Sequence, residues 1–285
     1  MTKTESVDDG SLRGSPQDLD LATRPVRDSA GNLTITLDPE YDGFGPLGGI
    51  LAAIALRGAA SVASLPKPLG IQCSFIEAAT HPAPILVDAQ VVRASRRSEA
   101  IAVELTQNGT TVLRAEVRTR DDFAGLAHDD ATMPKVEKPG ALIDIELLNG
   151  GAPLFPPILE RIQQRPTVWL DDFPPLTPAD PVVRTWCRFR PTERYDDHFT
   201  DASRSLVLID VFSWGAAATP HVADLRYRGV SADLSVAFCA PNADPWLLIE
   251  AASPLAADGV AHTVSRVWDA KGILVASSLS NLICL

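Results

Sequence analysis

Apolar positions along this chain fall into two successions of the same kind. In each, alternating apolar and polar residues are interrupted once by a long unbroken apolar stretch. Between Gly31 and Arg120, NLTITLDPEY has strand character, GFGPLGG reads as a loop, and ILAAIALRGAASVA is an Ala-rich apolar helix. IQCSFIEAA, PILVDAQVVRAS, EAIAVELTQ and TTVLRAEVRT then alternate or are β-branched, with turn signals such as Asn108-Gly109 between them. After Pro181 the order returns: VVRTWCRFRP as strand, SRSLVLIDVFSWGAA as helix, then VSADLSVAFCA, WLLIEAASPLA, VAHTVSRVWD and ILVASSLSNLICL as strands. Laying QNGTTVLRAEV (107–117) on DAKGILVASSL (269–279) brings helices and strands into approximate register, so the chain reads as an internal repeat. Two copies of a helix laid on an antiparallel sheet predict an α+β architecture.

The repeat sets the domain plan. Residues 1–25 are rich in Ser, Asp, Gly and Pro and are expected to be, at least in part, a mobile tail. The first unit spans 26–125, a Pro-rich connection 126–181, and the second unit 182–285. Ten prolines fall within 134–181, where FPPILERIQQRP is expected to hold a short helix.

One residue breaks the second apolar stretch. In SLVLIDVFSWGAA, Asp210 is surrounded on the helical wheel by Leu206, Val207, Ile209, Val211, Phe212 and Trp214. A helix apolar all round is buried, and a buried carboxylate requires partners or a proton. Ser213 lies one turn on, and Ser231 lies on the next predicted strand. The first helix carries no acid, so no complete catalytic set is expected on it.

Composition narrows the functions available. The 285 residues carry a net charge of −11, which disfavours nucleic acid or an anionic membrane as a general partner. Arg93, Arg96 and Arg97 form a short basic run suited to phosphates, or simply a solvated turn. Cys73, Cys187, Cys239 and Cys284 are scattered without CxxC spacing, and His198, His221 and His262 lack ligand spacing, so no metal is expected. The polar N-terminus has no signal-peptide core and no apolar run is read as a membrane span, which gives a cytoplasmic expectation.

Four stretches together resemble the double-hotdog acyl-CoA thioesterases of the type II, TesB-like group. They are GFGPLGGILAAIALRGAA, VVRASRRSEAIAVELTQNGTTVLRAEV, SLVLIDVFSWGAA, and VSADLSVAF followed by WDAKGILVASSLSN. The resemblance implies a double hotdog, each long helix wrapped by an antiparallel sheet. It implies hydrolysis of an acyl-CoA by a water that an aspartate polarises, assisted by a Thr or Ser hydroxyl and a Gln. These positions fall on Asp210, Ser231 and Ser280, and the serine at 280 departs from the pattern. Asn281 carries an amide but should face the other side of its strand. Gly48 and Gly49 are candidates for substrate approach, Arg93 and Arg97 for phosphate contact, and Phe212 and Trp214 for setting acyl length. No cofactor is implied beyond coenzyme A as part of the substrate. Homodimers or larger assemblies are compatible with the family. A non-catalytic acyl-binding hotdog and a hotdog hydratase or dehydratase remain as alternatives.

Overall fold

Two long apolar helices lie at the centre of the molecule. The computed structural model describes residues 18–167, 177–241 and 244–285. Helix α1 is Leu19–Thr23, α2 is Gly48–Ala60, α3 is Ile145–Leu148 and α4 is His198–Ala218. Asp197 caps α4, its carboxylate accepting from the Thr200 N–H at 2.8 Å. Nearly every residue of α2 is buried, as is α4 from Phe199 to Ile209. The two helices run antiparallel: Arg57 near the end of α2 pairs with Asp197 at the start of α4, while Gly49 rests on Leu206, Val207 and Asp210.

The strands are β1 Val26–Arg27, β2 Leu33–Ile35, β3 Lys67–Phe75, β4 Ile85–Ala94, β5 Ser98–Gln107, β6 Thr110–Arg120, β7 Ile162–Pro166, β8 Val182–Phe189, β9 Gly229–Phe238, β10 Leu247–Ala257, β11 Val260–Asp269 and β12 Leu274–Cys284. They form one sheet in the order β1-β2-β4-β5-β6-β3-β9-β12-β11-β10-β8-β7. The repeat is explicit here: β3, β5 and β6 of the first unit take the places that β9, β11 and β12 take in the second. The β5–β6 turn Asn108-Gly109 and the β10–β11 turn Asp258-Gly259 share one geometry, each with both residues at positive φ, the two-residue hairpin form that favours Asn/Asp followed by Gly. The units join through antiparallel β3 and β9, where Gly70 faces Ala237 and Cys73 faces Leu234. Gly70 is required at that seam, since a Cβ there would lie 2.8 Å from the Val236 carbonyl oxygen.

Several boundaries differ from the sequence expectation. Residues 18–23 are a packed helix rather than tail: Leu19 and Thr23 are fully buried, and Asp20 meets Arg57 at 2.7 Å. Residues 1–17 of the expected tail lie outside the described residues. The connection contributes β7, which pairs with β8 and therefore belongs to the second unit's sheet. The expected helix in FPPILERIQQRP is only a 3-10 turn, Pro157–Arg161. Met133, Val136 and Leu142 of the connection cover Trp186, Leu248 and Trp268 on the outer sheet face, and the Trp186 indole donates to the Glu137 carbonyl at 2.9 Å. The stretch His198–Asp224 is long and apolar enough to cross a membrane by length and composition, against the expectation that no run would be. In this fold α4 packs against α2 and the sheet.

Candidate active site

Asp210 sits where α2 begins. Upstream of it α4 is covered by α2; from this point Asp210, Val211, Trp214 and Gly215 keep partial exposure, forming an open stripe on an otherwise enclosed helix. Asp210 therefore keeps a partly exposed edge beside that stripe while protein packs closely around its carboxylate. Burial raises its pKa above the usual 3.8, opposed by hydrogen bonds from Ser231 and from the Gly49 backbone. Ser231 Oγ donates to Oδ1 at 2.7 Å and the Gly49 N–H donates to Oδ2 at 2.8 Å. Helix α2 has no side-chain cap from its own segment, so Asp210 supplies that capping charge from the other unit.

The two glycines are what allow this approach. A Cβ on Gly49 would lie 2.9 Å from Asp210 Cβ, the Leu206 carbonyl oxygen and Val207 Cα. On Gly48 it would lie 3.1 Å from Asp210 Oδ1 and 3.2 Å from the Phe75 ring. Sequence reading missed Phe75 and Cys73, both on β3. Cys73 is buried beside the site, and burial together with the Asp210 charge pushes its thiol well above the ordinary range.

A bulge on β9 sorts the polar residues onto two faces. Asn281 pairs with Asp233 and Leu282 with Ser231, leaving Ala232 unpaired. Ser231 thus turns inward to Asp210 while Asp233 turns outward. Asn281 faces outward too, its amide donating to Asp233 Oδ2 at 2.8 Å, so it does not reach Asp210. Ser280 faces inward but is not joined to Asp210. Its hydroxyl lies 2.6 Å from Thr263 Oγ1, which lies 3.3 Å from Ser213 Oγ, and Ser213 donates back to the Ile209 carbonyl at 2.7 Å. Instead of converging with Ser231 on the carboxylate, Ser280 ties β12 and β11 to the turn of α4 that carries it. Thr263 was invisible in the sequence because its partners are 50 and 17 residues away.

The remaining candidates separate. Phe212 projects about 200° from Asp210 around α4 and is core, 8% exposed, so it lines no opening. Trp214 lies on the Asp210 side, packed against Gly229, and lines an open cleft of about 540 Å³ with Ala217, Ala218, Leu225, Tyr227 and Val260. Arg93 lies near the end of β4 and Arg97 in the β4–β5 turn. Ser98 pairs with Arg120, which pairs with Lys67 at the start of β3, whereas Phe75 at its other end touches the site. Strand rise puts these arginines roughly 26 Å from Asp210, and the Arg97 guanidinium stacks over Phe123 at 5.1 Å. Among the described residues no histidine is hydrogen-bonded to Asp210, so the Asp–His pair of the dehydratase alternative is not formed there.

Known proteins bear on this geometry. Residues 37–119 match the family model for the acyl-CoA thioesterase N-terminal domain, and residues 130–281 match that for the C-terminal domain. Acyl-coenzyme A thioesterase 8 of Mus musculus is 24% identical over 247 residues, covering 80% of this chain and 76% of the mouse protein. A hot dog fold protein of unknown function from Alicyclobacillus acidocaldarius superposes with a TM-score of 0.78 at 23% identity, over 94% of this chain and 97% of the other. Acyl-CoA thioesterase II TesB2 from Mycobacterium marinum superposes with a TM-score of 0.76 at 18% identity, over 94% and 98%. The chain belongs to the acyl-CoA thioesterase family and is a double-hotdog thioester hydrolase.

Proposed function

We propose that the chain hydrolyses acyl-CoA to free acid and coenzyme A by a water held on Asp210. The observation that carries this reading is the division of the carboxylate: one oxygen takes the Ser231 hydroxyl, the other the Gly49 N–H. A carboxylate oxygen accepts about two hydrogen bonds, so each keeps capacity for water on the open stripe. The water oxygen attacks the thioester carbonyl carbon and its proton passes to Asp210. The N-terminal end of α2, with Gly48 beside Asp210, offers its positive dipole to the oxygen that becomes negative. Collapse breaks the C–S bond, and the proton on Asp210 goes to the departing sulfur. Coenzyme A enters as part of the substrate, and neither step calls for a further cofactor. The mainly apolar cleft beyond Trp214 is suited to one arm of the substrate.

CoA release from a panel of acyl-CoAs tests this. Wild type should turn over at least one chain class, and Asp210→Asn should lose on the order of 10²–10⁴ in kcat. A wild type that never releases CoA, yet is thermally stabilised by acyl-CoA, would replace hydrolysis with binding alone. Full activity in Asp210→Asn would remove Asp210 from the chemistry.

A further inference from the structure

The contact of Asp210 with Ser231 is followed by a second rung one helical turn along α4. Trp214 lies four residues after Asp210, and Gly229 lies two residues before Ser231 on β9. The indole of Trp214 rests directly on Gly229: a Cβ there would lie 2.2 Å from Trp214 Cε3 and 2.7 Å from Cδ2. Beyond this rung opens the cleft of about 540 Å³, within the roughly 300–1,000 Å³ of small-molecule sites. Its two walls carry short side chains. Ala217 and Ala218 come from α4, and Ala256, Ala257 and Ala261 from the β10–β11 hairpin. At the floor Ala217 and Ala261 are buried with Leu282, and Trp214 packs against them. Alanine on both sides leaves the cleft wide as well as apolar.

Charge and width together identify what fits. Among the described residues that line the cleft none is Lys or Arg, while Asp224 and Asp258 stand exposed at its rim, Asp224 meeting Arg226 at 3.0 Å. Such a rim repels the phosphates of coenzyme A, so the acyl group is the arm that enters. Dispersion gain falls steeply once facing atoms separate beyond contact, and a single methylene chain between alanine walls leaves its flanks unpacked. A ring fills that width and stacks on the Trp214 indole. We propose that the cleft selects acyl groups carrying a ring, aryl or alicyclic, about four bonds from the thioester carbonyl. One turn of α4 carries Trp214 about 6 Å beyond Asp210, and roughly 1.5 Å per bond gives that spacing. Gly229 thereby acquires a role in specificity, because any side chain there pushes the indole off β9 and out of its place in the cleft wall. The inference rests on Asp210 as the reacting end of the site.

CoA release and equilibrium binding on the full chain are the test. The probes are 4-phenylbutanoyl-CoA, decanoyl-CoA of equal carbon number, butanoyl-CoA and free CoA. In wild type, kcat/KM for 4-phenylbutanoyl-CoA should exceed that for decanoyl-CoA at least about tenfold. Gly229→Ala should lower the ratio of 4-phenylbutanoyl to butanoyl kcat/KM by about tenfold. Ala256→Leu should do the same from the other wall; Ala256 is exposed, so the protein should fold, and it pairs with buried Ala261, which places it on the cleft side. Binding of 4-phenylbutanoyl-CoA should weaken in both, and binding of free CoA should not. A wild type that prefers decanoyl-CoA, or a ratio unmoved in Ala256→Leu, would overturn the proposal. So would weakened binding of free CoA in Ala256→Leu, which gives the cleft to the nucleotide. A wild type that releases no CoA from any probe, yet binds 4-phenylbutanoyl-CoA less tightly once Ala256 is Leu, would end the hydrolytic reading and leave the ring-bearing acyl group in the cleft.

Discussion

The Asp210 carboxylate is buried and takes one hydrogen bond on each oxygen, and that makes its protonation measurable in two ways. Burial raises its pKa above 3.8, so the acid limb of kcat/KM should lie above that pH. The Ser231 bond works in the opposite direction, so Ser231→Ala should move the limb to higher pH and lower kcat/KM by about tenfold. A pH–rate profile whose limb stays in place, or moves down, would separate Ser231 from the carboxylate. Stability carries the same information with a definite sign. A carboxyl group whose folded pKa is raised contributes stability that is complete below the unfolded value and lost as pH rises through the folded value. Urea titrations of Asp210→Asn and wild type should therefore diverge in favour of the variant from about pH 4 upward, and level off above the folded pKa. Asp210 and Ser231 were legible because a lone acid in an apolar helix is conspicuous, and because the family pattern marks the strand serine. Ser280 illustrates the limit: alignment put it in the catalytic set, whereas its hydroxyl is committed to Thr263, a cross-strand partner that only register identifies.

At the scale of elements, the contact between α2 and α4 decides where the carboxylate sits. Gly49 lies directly on the backbone of α4, so Gly49→Ala forces the helices apart at the point where the N–H meets Asp210. The expected cost is about 1–3 kcal/mol by chemical denaturation, with a larger proportional loss in kcat than Ser231→Ala shows. An unchanged midpoint would mean that α2 shifts freely. The other end of α2 is held by Glu99, 3% exposed, which accepts from the Ser64 N–H, the Leu65 N–H and the Thr119 hydroxyl at 2.8 Å. Burial raises its pKa, but these bonds prevail and hold it below 4.5. Its contribution is thus present above about pH 4.5 and lost as pH falls through the lower folded value. Glu99→Gln should melt below wild type at neutral pH and approach it in acid; a gap independent of pH would contradict this. Helices and long strands were readable because period and length are local properties. The five-residue β7 was not, because IQQRP becomes a strand only by pairing with β8.

The whole molecule divides its site between its halves. Gly49 comes from the first unit, Asp210 and Ser231 from the second, and the β3–β9 ladder and the α2–α4 contact hold them together at the site. The repeat in the sequence revealed two units, and Gly48 and Gly49 were candidates for substrate approach, but the bond from the Gly49 N–H to Asp210 across the units was not legible. The connection crosses an exposed turn at Gly150 and Gly151, both at positive φ. A protease site inserted between Gly151 and Ala152 should therefore be cut without separating the halves. The nicked protein should elute as one species and keep kcat/KM within about twofold, because no buried contact is broken. Its urea midpoint should now rise with protein concentration, as unfolding has become a dissociation. Halves that part on a column and each retain CoA release would show that neither needs the other, contrary to a carboxylate anchored on the opposite unit's helix.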